Sequence, residues 1–197
     1  MAGRIRQAMT RNIALRPGMD VLDFGCGTGL LSLPWAPQVR SLTGADTSAG
    51  MLEVFLAKAR KQGLTNVQIR HLQHGERMQG RYDAVFSSMT FHHVENLDAL
   101  LSDLFRVLRA PGYLCVADLD PDGGHFHSDP TGVFHPGLDR SGLMQRFRAA
   151  GFSGVRETTA TEVVRTGADG LSRSFRIFLV TGRKRAAKPG SPGEDLE

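Results

Sequence analysis

The chain has 197 residues, 41% hydrophobic and 22% charged, with a formal net charge of +4 and two cysteines. That length fits one domain with a substantial core, and no apolar run is long enough to cross a bilayer. The first eleven residues are polar and basic, without the apolar segment of a secretory signal, so a reduced, cytoplasmic setting is expected.

A short helix is expected over residues 3–15, with Ile5, Met9 and Ile13 near one face, stopped by Arg16-Pro17-Gly18. Residues 19–24 read as the first strand. It runs into the stretch Val21-Leu22-Asp23-Phe24-Gly25-Cys26-Gly27-Thr28-Gly29, a glycine turn in which Thr28 can cap a following helix. Pro34 and Pro37 require that helix to kink or end early. A second strand over 39–45 closes on Asp46. Ser48 then caps a helix that runs to Lys61 and ends at Gly63.

Strands are expected over 67–72 and 82–88, and an amphipathic helix over 97–108 stopped by Pro111-Gly112. A fifth strand over 113–119 leads into a long loop over 119–138, rich in Gly, Pro, Asp and His. Asp139 caps a helix to Ala150. The late strands, 152–160 and 174–182, have no helix between them and suggest an antiparallel closing hairpin. The alternation predicts an α/β fold: a doubly wound, seven-stranded sheet, mostly parallel with an antiparallel closing strand. One domain is expected over residues 1–185. The tail 186–197 has the composition of a flexible segment, and much of the basic excess lies at this end, in Arg183, Lys184, Arg185 and Lys188.

Glycines let a ligand lie directly on the backbone. The spacing is Gly-x-Gly-x-Gly, and Leu30 occupies the position of the last glycine in a nicotinamide-binding fingerprint. Asp23 would repel a pyrophosphate and attract a cation. Asp46, at the end of the second strand, suits the two hydroxyls of a ribose, and Met51 could pack on a flat base.

These residues resemble the class I S-adenosylmethionine-dependent methyltransferases, in particular the small-molecule branch that includes the ubiquinone and menaquinone methylases. The resemblance rests on residues 21–29, on Gly44-Ala45-Asp46-Thr47-Ser48 with Met51-Leu52, on 82–94 including His92-His93, and on 106–114. It implies S-adenosylmethionine as cofactor, with S-adenosylhomocysteine as product, and methyl transfer by in-line displacement to a small-molecule acceptor. The cofactor-binding residues it implies are Asp23, Gly25, Cys26, Gly27, Asp46, Thr47, Met51, Gln73 and Ser88. Gln73 stands where an adenine contact, often acidic, is usual, and Glu76 is its possible substitute. His92 and His93 are the candidate bases, needed only for an acceptor that arrives protonated.

His125, His127 and His135 lie in the long loop, but their spacing fits no structural zinc pattern and no cysteine joins them, so no metal site is expected. The loop is instead expected to form part of an acceptor pocket or lid, with Phe126 and Phe134 as its apolar surface. Two other readings stand beside this one: a cofactor-binding protein that no longer transfers methyl, and an RNA methylase. The segment Ser87-Ser88-Met89-Thr90 and the absence of a separate basic domain speak against the latter. A monomer or homodimer is expected.

Overall fold

The computed structural model describes residues 1–73, 76–166 and 171–186. Helix α1 (Ala2–Asn12) precedes strand β1 (Asp20–Phe24). Then follow β2 (Ser41–Asp46), α2 (Ala49–Lys61), β3 (Val67–His71), β4 (Tyr82–Ser88) and α3 (Leu97–Val107). The chain finishes with β5 (Leu108–Leu119), α4 (Arg140–Ala149), β6 (Ser153–Thr166) and β7 (Ser172–Lys184). The seven strands form one sheet in the order β3-β2-β1-β4-β5-β7-β6. All pairings are parallel except those of β7, which runs antiparallel to both β5 and β6. From β1 the chain builds outward to β3, then crosses back to β4 on the other side of β1. That reversal opens a crevice at the carboxyl ends of β1 and β4, where a sheet of this kind takes its ligand.

Two apolar layers cover the sheet. On one face α1 and α2 pack with Trp35 against β1, β2 and β4; on the other, α3 and α4 pack through Leu101, Leu104, Leu143 and Phe147. In α2 the positions Leu52, Phe55 and Ala59 recur at helical spacing and are buried. The Ser48 hydroxyl accepts from the Met51 N–H, as expected of a cap, and three basic residues fill the last turn.

The turn after β1 departs from expectation. No α-helix follows it. Thr28 caps nothing; its hydroxyl accepts from Lys58 Nζ at 2.9 Å. The segment Leu33–Gln38, with prolines at 34 and 37, is a short 3-10 helix instead. Phe55 fills the space beneath. A Cβ on Gly29, whose φ is +79°, would stand 2.7 Å from both Phe55 and Leu33, so α2 seats directly under the turn.

Helix α3 ends within one residue of expectation, at Val107. Lys184 reaches across from β7 and donates to the carbonyls of Phe105 and Leu108, at 2.7 and 2.8 Å. These satisfy carbonyls at the end of the helix. Pro111 and Gly112 then fall inside β5, which begins at Leu108 opposite Tyr82. Strands β6 and β7 extend beyond the expected spans because they pair with each other from Ser153↔Arg183 to Thr166↔Ser172. The tail expected from 186 lies, from 187 on, outside the described residues.

Trp35 is 1% exposed and packs on Phe86 with ring centroids 4.4 Å apart. Trp35→Ala is expected to cost about 3–5 kcal/mol and to lower the melting temperature by roughly 2–4 °C per kcal/mol. Thermal unfolding followed by circular dichroism measures this.

Candidate active site

The turn after β1 is held by its own amides. The N–H groups of Gly25 and Cys26 both donate to the Ala45 carbonyl, at 2.8 and 3.0 Å. The Gly27 N–H donates to Asp46 Oδ2 at 2.8 Å, while Oδ1 of the same carboxylate accepts from the Ser48 N–H at 2.9 Å. Three successive N–H groups are therefore spent within the protein. The turn is not the array of free amides that binds phosphate. Gly25 has φ +71°, and a Cβ there would lie 2.2 Å from Thr90 Oγ1. Glycine thus lets β4's continuation close against the turn. The Thr90 hydroxyl lies within reach of the Ser88 and Gly25 carbonyls, at 3.2 and 3.4 Å.

A cavity of about 570 Å³ opens over this turn. Its floor is Asp23, Gly25, Cys26 and Gly27; one wall is Asp46, Thr47, Met51 and Leu72. The opposite wall is Ser88, Met89, Thr90 and His93. Helix α1 supplies Met1, Ala2 and Ile5, so the first helix closes over the crevice. No lysine or arginine is among the described residues lining it. Met89 has φ +58°, a strained backbone for a non-glycine residue, where the chain turns out of β4 beside the cavity.

Asp23 is 1% exposed, and its Oδ2 atom has no hydrogen-bond partner. Burial pushes this carboxyl up to about 7; the Ser32 hydroxyl pulls back in part, and the Asp46 charge pushes further. A buried, unpaired carboxylate on the floor of a cavity is a seat for a cation. Asp46 keeps lone pairs on both oxygens after accepting one N–H on each, enough for a pair of adjacent hydroxyls. The Cys26 thiol is pushed up, mainly by burial and then by the two carboxylates, so it stays protonated. An ammonium on Asp23, a diol on Asp46 and a flat base beside Met51 and Leu72 match the parts of S-adenosylmethionine.

Eight of the nine residues expected at the cofactor site line this cavity, and Gln73 does not. Strand β3 ends at His71, two residues earlier, and Gln73 turns away from the crevice. Its side-chain amide donates to His71 Nδ1 at 3.2 Å. Glu76 accepts from the Gln73 N–H at 3.1 Å and faces Arg70 at 3.9 Å; it is not among the residues lining the cavity. Leu72, one residue earlier than Gln73, lines the cavity wall.

The two histidines part company. His93 lines the cavity, while its Nδ1 donates to the Gly132 carbonyl at 2.8 Å. His92 is 1% exposed and lies behind the wall. Its Nδ1 donates to Asp118 Oδ1 at 2.5 Å, and its Nε2 lies 3.1 Å from His127 Nε2. Burial, followed by the nearby His92 and His93, holds the His127 imidazole below its ordinary pKa. Sequence reasoning missed Asp118 and the approach of His127, since thirty-five residues separate His127 from His92. The available signal was the buried strand end at Asp118 beside the His92-His93 pair.

The long loop after β5 has no regular structure, as expected, and is tied to the segment after β4. The N–H groups of Phe134 and His135 donate to the His92 carbonyl at 3.0 and 3.1 Å, and His135 Nε2 donates to the Val94 carbonyl at 3.0 Å. Phe126 is not an exposed apolar surface. It is buried with Leu119 and Phe175, and the Arg165 guanidinium stacks 3.8 Å from its ring centroid. Phe134 is 52% exposed.

Residues 22–116 match the family described as a methyltransferase domain. The chain is 34% identical over 134 residues to an uncharacterized methyltransferase of Schizosaccharomyces pombe, covering 64% of this chain and 46% of that protein. It is 32% identical over 113 residues to the demethylmenaquinone methyltransferase of Symbiobacterium thermophilum, covering 54% and 45% respectively. The chain thus spans about half the length of these curated relatives. Among solved structures it is similar to the YcgJ protein of Bacillus subtilis, with TM-score 0.76 and 16% identity over 94% of this chain and all of that one. It also resembles a Haemonchus contortus phosphoethanolamine N-methyltransferase in complex with S-adenosylmethionine, with TM-score 0.75 and 16% identity over 93% and 53%. At these identities the structural likeness concerns the fold.

The folded-state pKa of Asp23 lies above its unfolded value, so the native state holds a proton that the unfolded state has released. Its contribution to stability therefore falls as pH rises from about 3.8 to about 7 and levels off above. Asp23→Asn, free of ligand, is expected to melt higher than wild type at pH 8. The gap should shrink by roughly 1.4 kcal/mol per pH unit on acidification across that window. Parallel thermal melts from about pH 4 to about pH 8 read this out, the gap changing below about 7 and staying level above it.

Proposed function

We infer that this chain, whose residues 22–116 match the family described as a methyltransferase domain, transfers a methyl group from S-adenosylmethionine to a small-molecule acceptor. The observation that carries the reading is the orphaned Asp23 oxygen on the floor of a cavity whose wall holds Asp46. Bound S-adenosylmethionine supplies an electron-poor methyl on a sulfonium, open to in-line displacement.

The protein's part is placement. Asp23 takes the ammonium and so loses the cost of an unpaired buried charge. Asp46 takes the ribose hydroxyls while still clamping the turn, and Met51 and Leu72 flank the base. Ser88, Met89 and Thr90 border the reacting end, with His93 beside them. The imidazole of His93 donates through Nδ1, which leaves Nε2 with a lone pair for an acceptor's proton. His92 is not among the residues lining the cavity and stands buried behind His93. Alignment of this kind can contribute about 7–11 kcal/mol to the barrier reduction.

A small acceptor suits a crevice closed by α1 and free of lysine and arginine; nucleic acid is not the proposed substrate. Both cysteines are buried free thiols, which supports a cytoplasmic setting, and no described helix is long and apolar enough to cross a membrane. A monomer or homodimer is the proposed assembly.

Titration calorimetry with S-adenosylmethionine and S-adenosylhomocysteine tests the reading. Wild type should bind both. Asp46→Ala should weaken binding by roughly 100-fold or more, since two hydrogen bonds to a charged group are lost. Gln73→Ala should leave affinity within about twofold, because its side chain lies off the cavity. If wild type bound neither compound, the assignment would fail.

A further inference from the structure

His92, His93 and His127 each offer a ring nitrogen, and these three atoms lie within 4.8 Å of one another. The histidines come from two distant parts of the chain. His92 and His93 form part of a single 3-10 turn, Phe91–His93; His127 comes from the loop after β5. We propose that this cluster is a binding site for a divalent transition metal of the zinc type, at the acceptor end of the cavity.

Three features of the arrangement support it. First, Nδ1 is already occupied on both histidines of the turn, by Asp118 on His92 and by the Gly132 carbonyl on His93. Each proton is thereby fixed on Nδ1, and each Nε2 is left with its lone pair. Second, the partner of His92 is a carboxylate. Asp118 is fully buried and also accepts from the N–H groups of His92, at 3.3 Å, and of Leu119, at 2.7 Å. A carboxylate behind an imidazole orients the ring and raises its basicity toward a metal. Third, the spacing fits. Two imidazole nitrogens about 2.0–2.1 Å from one tetrahedral ion stand about 3.3 Å apart; His92 Nε2 and His127 Nε2 are 3.1 Å apart. A single N–H···N hydrogen bond would account for that pair but not for the third ring. His93 is exposed and brings a ring nitrogen within 4.8 Å of the other two.

Three nitrogen ligands leave a fourth position free. His93 borders the cavity, so an ion held there would lie against the wall beside the bound acceptor. The ion would lower the pKa of a bound hydroxyl and hold the resulting oxyanion in line with the methyl. With the ion bound, His93 Nε2 is a ligand and no longer the base: the hydroxyl proton leaves to water, the O–C bond forms, and the C–S electron pair returns to sulfur. This role in catalysis rests on the methyl-transfer reading above; metal binding does not.

The test uses the full chain, stripped with chelator and titrated with Zn²⁺ by calorimetry and with Co²⁺ by visible absorption. Wild type is expected to take up one equivalent, and Co²⁺ to give the intense d–d bands of a four-coordinate site. His127→Ala, a change in a loop, should abolish stoichiometric uptake, and His125→Ala in the same loop should leave it intact. Asp118→Asn, which alters a positioning residue, should weaken Zn²⁺ binding roughly 10–100-fold. Circular dichroism checks that each variant is folded. No uptake by folded wild type, or equal uptake by His125→Ala and His127→Ala, would overturn the proposal. S-adenosylmethionine binding measured on the same metal-free samples is independent: retained cofactor binding without metal uptake removes the metal site and leaves the transferase reading standing.

Discussion

One carboxylate links the working parts of this fold. Asp46 ends β2, and its two oxygens reach in different directions, one to the Gly27 amide in the turn after β1 and one to the Ser48 amide at the start of α2. Without it the glycine turn would be tied to β2 only through the Ala45 carbonyl. With it, the turn, the second strand and the helix that seals the core beneath them share a single anchor. Because the anchor is charged, each bond is stronger than a neutral one. The same group borders the cavity, so the atom that organises the turn also presents spare lone pairs to a ligand.

The chemistry of the crevice follows from where the turn's amides point. A glycine turn leading from a strand usually suggests an anion site, because free N–H groups converge there. Here the first three N–H groups are turned inward, and the floor carries a carboxylate that burial has stripped of partners. The electrostatic sign of the site is thereby reversed. What remains on the floor is a carboxyl group held away from water, whose charged form is costly until a cationic ligand pairs with it.

Much of this was legible in the residues. The order of strands and helices, the Ser48 and Asp139 caps, and the placement of Asp23 and Asp46 depend on local patterns: period, glycine and proline signals, and capping chemistry. What was not legible depends on contacts between distant segments. Lys184 ties down the end of α3 from the far end of the chain. Phe55 and the prolines replace an expected helix by a 3-10 turn. Gln73 leaves the site because β3 stops at His71, and a boundary of one or two residues decides which side chain faces the crevice. The meeting of His127 with His92 and His93 has no counterpart in sequence spacing, since the fold alone brings the loop back.

The manner of that return has its own consequence. The loop is fastened chiefly through main-chain atoms: the amides of residues 134 and 135 on the carbonyl of residue 92, and the carbonyl of residue 132 on an imidazole. Main-chain fastening is indifferent to most side chains. At those points the loop's path does not depend on its composition, and exposed residues such as Phe134 can diversify without undoing the attachment. In a scaffold whose cofactor half is rigidly specified, such a segment is a natural place for substrate preference to drift while the framework stays the same.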